Sequence, residues 1–252
     1  MNEVCLRSER LATAGFAHGF FTRFLGFSAD GGARSDEDAA AAELGVGRER
    51  LYFLSQVHGR VVRVVAGEPA AAVRAEHGDI TASAAPGMAC GVRVADCAPV
   101  LIVDRRSGAV AAVHSGWRGT VLGAAEAGVR ALTELGAAPG DLLAAIGPHI
   151  EACCFEVGPD VAAAIAASSP LGEAVVDRSR EKPHVDLRRV IAAQLERAGV
   201  RELDHVRGCT MCEPGRFYSY RRDGKHGGRM LAAVVARSTG ARSPGDGGGK
   251  LG

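Results

Sequence analysis

The stretch VRVADCAPVLIVDRRSGAVAAVHSGWRGT, residues 92–120, carries the most informative pattern in the chain. It predicts a strand, a turn with Cys97, a second strand, a tight turn at Ser107 and Gly108, and a third strand that ends at His114. The second and third strands favour an antiparallel hairpin, whose open end brings together the residues that flank the two strands. Cys97 and His114 differ by 17 in residue number, a separation that such a hairpin spans. We therefore expect them to lie side by side.

Short apolar runs predict further strands on both sides of this hairpin. The predicted strands cover residues 16–22, 51–56, 61–66, 90–94, 99–104, 109–114, 142–146 and 230–236. A helix is predicted after Thr120, a candidate N-cap, with Gly136 as its stop. Two more begin at Pro159 and Asp186, and residues 36–44, DEDAAAAEL, are a fourth helical candidate. This order of elements indicates an α/β or α+β protein.

Composition and charge limit the kind of partner. With 252 residues, 47% of them hydrophobic, the chain can bury a large core in one domain. Its formal net charge is only +1, so no bulk field attracts nucleic acid or a membrane surface. No run approaches the roughly 18 apolar residues of a membrane helix, and the N-terminal MNEVCLRSERLATAG lacks the apolar core of a signal peptide. We expect a cytoplasmic protein that binds a small molecule, with no nucleic-acid or membrane partner.

The seven cysteines are an odd number and are unevenly spread. In a cytosolic chain this indicates thiols that bind metal, react or are buried, rather than a disulfide framework. Cys209 and Cys212, in CTMC, have the spacing of zinc ribbons and redox motifs, but a closed zinc site needs four ligands and the chain has no second C-x-x-C. Because Cys153 and Cys154 are adjacent and so differ in geometry, we expect buried or incidental thiols in CTMC.

A third potential ligand is His58, in SQVHGRVV, at the turn between two predicted strands. Like Cys97 and His114 it stands at the end of an element, where functional groups are usually presented. Two imidazoles and one thiolate suit Zn²⁺, and three protein ligands leave a fourth position for water or substrate. The spacing alone leaves a second interpretation open, in which both histidines are ordinary turn residues and Cys97 is a small buried side chain.

Five motifs, in this order, resemble the YfiH-type laccase-domain family, whose members are also described as polyphenol oxidases, purine nucleoside phosphorylases and peptidoglycan-editing factors. The motifs are SQVHG, ADCAPVLIVD, AVHSGWRGT, AIGPHI followed by EVG, and SYRRDGKHGGR, within residues 15–237. The resemblance implies one α/β domain over residues 1–237, with mixed β-sheets sandwiched between helices. In the family the histidine of QVHG, the cysteine of ADC and the histidine of HSGWRG bind zinc, which implies His58, Cys97 and His114 as ligands here.

The resemblance also implies an activity, the phosphorolysis of adenosine, inosine, guanosine and methylthioadenosine, with deamination of adenosine as a second reaction. Arg118, Arg221 and Arg222 would offer forked donors to phosphate or ribose oxygens, although arginines beside a turn are also ordinary surface groups. Asp79, in HGDIT, matches a recurrent acidic position and is a candidate for proton transfer or orientation, or a simple turn residue. His149, in GPHI, is a candidate for contact with the substrate or with one of the metal-binding residues.

Two aromatic residues and one loop bear on substrate binding, and the last residues form a separate segment. Phe155 and Tyr218 could stack on a base or belong to the core. After GFFTR the chain continues FLGFSADGGARSDEDAAAAELG, a short segment without the Asn-Leu-Gly-like turn of family members, which leaves the substrate range open. Residues 238–252 are Gly-rich with few large apolar groups, and we expect a mobile tail there.

Three alternative functions stay open. Copper-dependent polyphenol oxidation needs several copper centres, usually with H-x-H pairs, and the eight histidines of this chain form none. A single mixed site could still bind Cu²⁺ in vitro. Cys97 and His114 could instead be the nucleophile and base of a hydrolase without metal. In a peptidoglycan-editing or regulatory protein, the metal would be structural. The sequence does not indicate the oligomeric state.

Overall fold

The structure is a computed structural model that describes residues 3–26 and 34–238. Its strands are β1 (Cys5–Leu6), β2 (His18–Phe21), β3 (Leu51–Tyr52), β4 (Val62–Val64), β5 (Ile80–Ser83), β6 (Ala89–Val94), β7 (Ala98–Asp104), β8 (Val110–Ser115), β9 (Leu142–Ile146), β10 (Val176–Asp177), β11 (His184–Val185), β12 (Glu202–His205) and β13 (Met230–Val235). Its α-helices are α1 (Glu9–Thr13), α2 (Arg34–Glu43), α3 (Ala70–Ala75), α4 (Trp117–Val121), α5 (Ala124–Glu134), α6 (Pro159–Ser168), α7 (Leu187–Arg197) and α8 (Tyr220–Asp223).

The predicted hairpin is formed by β7 and β8, which pair antiparallel. Its turn contains Gly108 with a φ of +81°, in the left-handed region that glycine adopts readily. The Asp104 carboxylate closes the turn, because it accepts hydrogen bonds from the backbone N–H groups of Arg106 and Ser107. The open end of the hairpin therefore holds Cys97 beside the residues that follow β8.

The hairpin lies at the centre of a six-stranded sheet of order β12-β9-β7-β8-β5-β4. The outer pairs of this sheet are parallel and the inner pairs are antiparallel. A five-stranded sheet has the order β1-β2-β13-β6-β3, and its β6–β3 pair is parallel while the others are antiparallel. Both sheets are mixed, and β10 and β11 form a separate antiparallel pair.

The two faces of β7 belong to different cores, because successive residues of a strand point to opposite sides of a sheet. Val100 and Ile102 join a core with side chains of α5, α6 and α7, whereas Leu101 and Val103 join the core between the two sheets. The outer face of the five-stranded sheet packs against α2. The layers are thus helices, six-stranded sheet, five-stranded sheet and α2, which confirms the predicted α/β class with mixed sheets between helices.

The helix predicted after Thr120 begins earlier than expected. Gly116 is the N-cap of α4 and Thr120 lies inside that helix, so the predicted N-cap is wrong. Gly123, with a φ of +76°, then separates α4 from α5. The predicted stop agrees with the structure, since α5 ends at Glu134 and Gly136 has a φ of +96°.

The helices predicted from Pro159 and Asp186 begin where expected, whereas the helix predicted over residues 36–44 is α2 (Arg34–Glu43) and begins two residues earlier. Pro159 is the first residue of α6, and the Asp186 side chain caps α7 by accepting a hydrogen bond from the Arg189 N–H. The strand predicted over residues 51–56 is shorter, because β3 ends at Tyr52 and Ser55 forms only an isolated bridge with His77. Strands β5 and β12, both part of the six-stranded sheet, were not predicted.

Two predictions concern segments that the structure does not describe. Residues 27–33, in the segment that departs from the family, and residues 239–252, in the predicted tail, lie outside the described residues. Within the described part of the chain, no helix combines the length and the apolar character needed to cross a membrane.

Candidate active site

Three side chains that can bind a metal meet at the open end of the hairpin. His58 lies in the loop between β3 and β4, Cys97 in the turn between β6 and β7, and His114 in β8. Their ligand atoms all lie within 4.8 Å of one another, and the two imidazole rings are in edge-to-face contact with centroids 5.0 Å apart. His114 is buried, Cys97 is half-buried and His58 is exposed. The three residues predicted as ligands are therefore close enough to share one ion.

The buried carboxylate of Asp79 organises two of these ligands. Its Oδ1 accepts a hydrogen bond from Nδ1 of His114 at 2.7 Å. The carboxylate also accepts hydrogen bonds from the backbone N–H groups of His58, at 2.9 Å, and Gly59, at 2.7 Å. Because Asp79 engages Nδ1 of His114, Nε2 is the ring atom left to bind a metal. Asp79 lies behind the ligands and acts on them as a positioning residue.

The loop that carries His58 is also fixed to the five-stranded sheet. The side-chain amide of Gln56, in the motif SQVHG, donates to the carbonyl of Arg93 at 2.7 Å and accepts from the N–H of Arg93 at 2.7 Å. The amide thus takes the place of a neighbouring strand beside β6. This pair of hydrogen bonds holds the His58 loop in position relative to Cys97.

Two residues of the site have backbone conformations that are rare outside glycine. The φ angles of His58 and Asp96 are 61° and 82°, both in the left-handed region. The carboxylate of Asp96 accepts hydrogen bonds from Oγ1 of Thr210 at 2.5 Å and from the N–H of Arg221 at 2.6 Å. Such conformations persist only where surrounding contacts hold them, and they concentrate at functional sites.

The charges of the three groups depend on one another. Burial raises the pKa of the Cys97 thiol, but the adjacent imidazoles of His114 and His58 outweigh burial and lower that pKa to about 6. Burial lowers the pKa of His114, yet the Cys97 sulfur and the Asp79 carboxylate raise it to about 9. Cys97 is therefore a thiolate near neutral pH, the form that binds zinc. With a pKa of about 9, His114 carries a proton on each ring nitrogen near neutral pH. Zinc binding would displace the proton on Nε2.

The space between the ligands fits a metal ion. A Cβ at Gly116 would lie 2.7 Å from Sγ of Cys97 and 3.2 Å from Cδ2 of His58, so only glycine leaves this space open. Two imidazole nitrogens and one thiolate form a mixed N,N,S ligand set that suits zinc and also accepts copper. The residues present therefore fit the metal that the sequence implies.

The ligands line a cavity of about 560 Å³, a size typical of small-molecule sites. Arginine and aromatic side chains form much of its wall, namely Arg93, Arg118, Arg221, Arg229, Trp117, Phe155 and Tyr220. Three of the arginines lie near aromatic rings that also belong to this wall. The guanidinium carbon is 4.4 Å from the ring centroid for Arg118 and Trp117, 5.4 Å for Arg229 and Tyr220, and 6.0 Å for Arg221 and Phe155.

Three arginines of this wall are not in ion pairs within the described part of the chain. No ion pair joins Arg118, Arg221 or Arg229 to a carboxylate within residues 3–26 and 34–238. Asp96 also lines the cavity and brings one negative charge to it, against four arginine side chains. An anionic group next to the metal ligands would therefore find several guanidinium donors.

Two predicted substrate contacts lie away from the cavity wall. The guanidinium of Arg222 donates to the carbonyls of Thr210 and Phe217 and pairs with Asp223, so it holds loops together. His149 is fully buried, and burial together with the nearby Arg188 lowers its pKa to about 4. Arg118 and Arg221, in contrast, line the cavity as expected.

The aromatic candidates divide in the same way. Phe155 lines the cavity, whereas the ring of Tyr218 lies outside it and is covered by the guanidinium of Arg23 at 4.8 Å. Trp117, Tyr220 and Arg229 were not predicted, although they stand inside the quoted motifs HSGWRG and SYRRDGKHGGR. No pattern in the sequence indicated that Arg93 lines the cavity, because a lone arginine in a strand is usually a surface residue.

The structure corrects the prediction for CTMC. Cys209 and Cys212 lie beside Cys153 and Cys154, and the four sulfur atoms are all within 4.8 Å of one another. Cys153 and Cys212 are exposed, Cys154 is half-buried and Cys209 is buried. The expectation that Cys153 and Cys154 have an unsuitable geometry is wrong, because this second pair of thiols comes from a different loop and meets Cys209 and Cys212 without a C-x-x-C spacing. Cys212 is also exposed rather than buried, and the expectation that the CTMC thiols are incidental stays a prediction.

Known proteins resemble this chain over most of its length. Residues 32–237 match the model of a family described as multi-copper polyphenol oxidoreductase laccase. The chain is 39% identical over 243 residues to a purine nucleoside phosphorylase of Deinococcus radiodurans, covering 91% of each protein. It is 36% identical over 209 residues to adenosine deaminase RL5 from an unknown prokaryotic organism, covering 78% of this chain and 79% of the relative.

Solved structures share the fold. YlmD from Geobacillus stearothermophilus superposes with a TM-score of 0.85 at 28% identity, over 94% of this chain and 98% of YlmD. A Neisseria meningitidis protein of family DUF152 superposes with a TM-score of 0.80 at 29% identity, over 94% of this chain and 100% of that protein.

Proposed function

Since this chain belongs to the family of multi-copper polyphenol oxidoreductase laccases, and relatives in it are named purine nucleoside phosphorylases, we propose that it is a zinc-dependent purine nucleoside phosphorylase. The proposed substrates are phosphate and adenosine, inosine, guanosine or methylthioadenosine, and the products are the free base and ribose 1-phosphate. Deamination of adenosine is proposed as a second activity, which the name of the relative RL5 supports.

The observation that carries this proposal is the cavity that joins the metal ligands to three arginine–aromatic pairs. A purine has a flat π face that stacks on Trp117, Phe155 or Tyr220. Guanidinium forks match the oxygens of phosphate in a bidentate manner. One wall of the cavity therefore offers both kinds of group that a nucleoside and phosphate need.

His58, Cys97 and His114 would hold the zinc ion, and three protein ligands leave a coordination position for substrate. Bound zinc supplies Lewis acidity next to the cavity. Asp79 keeps Nδ1 of His114 engaged, so that Nε2 stays available to the ion. Gly116 keeps the space between the ligands open.

Arg118 and Arg221 have different parts in the proposed site. Arg221 is anchored, because its backbone N–H is bonded to Asp96 and its Nη2 donates to the carbonyl of Glu156 at 3.0 Å. Arg118 has no ion-pair partner among the described residues and stacks on Trp117. We assign Arg118 to phosphate binding and Arg221 to ribose or phosphate oxygens.

A second candidate function has one observation in its favour. Cys97, His114 and Asp79 are arranged as nucleophile, base and orienting acid, and the thiol pKa of about 6 gives a reactive thiolate. A hydrolase of this kind needs no metal. Assays of metal-free protein separate the two functions, because a thiol hydrolase stays active without zinc and is inactivated when iodoacetamide alkylates Cys97, whereas the zinc enzyme is inactive until zinc is restored.

The main experiment compares zinc-loaded, copper-free protein on nucleosides and on a phenol. Inosine should yield hypoxanthine and ribose 1-phosphate only when phosphate is present, and His58→Ala and His114→Ala should abolish the reaction. Arg118→Ala should raise the KM for phosphate by about tenfold or more, since a charge-assisted hydrogen bond contributes about 1.5–3 kcal/mol.

Arg106→Ala is the matched control for Arg118→Ala. Arg106 lies at the opposite end of the β7–β8 hairpin and its side chain is 80% exposed. Its removal should leave the KM for phosphate and the KM for inosine unchanged. Turnover of the phenol with every nucleoside untouched would refute the purine proposal and favour copper-dependent oxidation.

A further inference from the structure

Four cysteines outside the candidate active site have the arrangement of a metal site. Sγ of Cys153 is 3.6 Å from Sγ of Cys209 and 3.7 Å from Sγ of Cys212, and Sγ of Cys154 is 3.2 Å from Sγ of Cys212. Four thiolates at the usual zinc–sulfur distance of about 2.3 Å form a tetrahedron with edges of about 3.8 Å. The sulfur atoms are therefore already spaced for one ion.

Other uses of four thiols fit less well. All four cysteines are free, and their sulfur atoms are too far apart for a disulfide bond of about 2.05 Å. An iron–sulfur cluster distributes its thiolates over several iron atoms, so its sulfur ligands lie farther apart than those around one ion. Four soft ligands in tetrahedral spacing select zinc among the common divalent ions.

The immediate surroundings of the thiols also suit a zinc site. The N–H of Cys209 donates to Oε1 of Glu213 at 2.9 Å, and the carbonyl of Cys153 accepts a hydrogen bond from Nη1 of Arg180 at 3.2 Å. These hydrogen bonds hold the backbone that carries Cys209 and Cys153, and groups around metal ligands orient them in this way.

We propose that Cys153, Cys154, Cys209 and Cys212 bind a second zinc ion, which is structural because four protein ligands close its coordination shell. This ion joins the loop after β9 to the loop after β12. The proposal stands independently of the activity proposed above.

Both joined loops support the wall of the cavity. Phe155 directly follows Cys154 and lines the cavity, and the carbonyl of Glu156 accepts a hydrogen bond from Nη2 of Arg221. In the other loop, Oγ1 of Thr210 donates to Asp96, and the carbonyl of Thr210 accepts from Nη1 of Arg222. The structural zinc would thereby fix the position of the aromatic and arginine side chains of this wall.

The test counts zinc by elemental analysis in protein prepared without added metal and kept reduced. The wild-type chain should hold two zinc ions, Cys97→Ser one, Cys212→Ser one, and Cys97→Ser with Cys212→Ser none. Cys5→Ser is the matched control, because Cys5 lies in β1 outside both groups, and it should retain two. Zinc counts do not depend on catalysis, so they remain informative if the activity proposal fails.

The Cys97→Ser chain keeps the proposal testable even where Cys212→Ser does not fold. When that chain is loaded with Co²⁺, it should show sulfur-to-cobalt charge-transfer absorption, since its remaining site is made of thiolates. Removal of zinc from it with a chelator should accelerate hydrogen exchange at residues 151–157 and 208–213 and leave β7 and β8 unchanged. A Cys97→Ser chain with no zinc and no charge-transfer band would overturn the proposal, as would a mass showing these cysteines oxidised to disulfides.

Discussion

Asp79→Asn should weaken zinc binding at His58, Cys97 and His114 while leaving the chain folded. The substitution keeps the size of the side chain but replaces one carboxylate oxygen with an NH₂ group. Oδ1 faces the donors of His114 and His58, and Oδ2 faces the N–H of Gly59. In either orientation of the amide, its NH₂ group would therefore meet another donor.

The size of the effect follows from which ligand is released. If the NH₂ group faces His114, the imidazole loses its orienting acceptor, and if it faces Gly59, the His58 loop loses a hydrogen bond of 2.7 Å. Loss of a group that orients a metal ligand typically costs about 10–100-fold in affinity, which corresponds to about 1.4–2.8 kcal/mol. The zinc dissociation constant should rise by this factor.

The affinity can be measured by competition with a chromophoric chelator at fixed pH. Asp104→Asn is the matched control, because Asp104 is also buried and also accepts backbone hydrogen bonds, but at the turn end of the same hairpin. That variant should lose stability and keep its zinc affinity. Wild-type affinity in Asp79→Asn, or an equal loss in Asp104→Asn, would refute the orienting role.

Further outcomes are expected from the packing and from buried charges. Gly116→Ala should remove zinc from the His58–Cys97–His114 site, because the new Cβ would lie 2.7 Å from Sγ of Cys97. Gly140→Ala, where no atom lies within 4 Å of the added Cβ, should not, and full zinc occupancy in Gly116→Ala would contradict the proposed geometry. The pKa of buried His149, about 4, lies below the ordinary 6.5, so the unfolded chain binds the proton first and stability falls as the pH drops below 6.5. Between pH 6.5 and 5 this loss is about 1.6 kcal/mol, measurable by urea unfolding in chelator, and His149→Gln should lose that part of the slope. Identical slopes in the two proteins would show that His149 is not buried in its neutral form.

The centre of the fold could be predicted because its pattern is local. The run PVLIVD predicts a strand, and Ser107 and Gly108 predict the turn after it, so Cys97 and His114 were expected to lie side by side. The helix starts at Pro159 and Asp186 were predictable for the same reason, since each residue has a local role at a helix end. Strand β12 was missed because its sequence, ELDH, is polar and gains its place only by pairing with β9.

The rest of the site depends on contacts between distant segments. Arg93 and Arg229 reach the cavity from β6 and from the residue before β13, and no spacing in the sequence relates them. His149 stands in a motif but is buried, because its ring packs behind the cavity wall with Arg188. The four-cysteine group shows the same limit, since Cys154 and Cys212 become neighbours only through the folding of two loops.

The left-handed backbone conformations of His58 and Asp96 lower the stability of the folded chain at positions where they cannot easily be relieved. Each such residue costs about 1–3 kcal/mol relative to a relaxed conformation, and glycine would remove most of that cost. Glycine at position 58 deletes an imidazole, however, and glycine at position 96 deletes the carboxylate that holds Thr210 and Arg221. Substitutions that raise thermostability without loss of the site must therefore lie in the cores or on the surface. A relative with glycine at both positions would lack the imidazole and the carboxylate that the site needs.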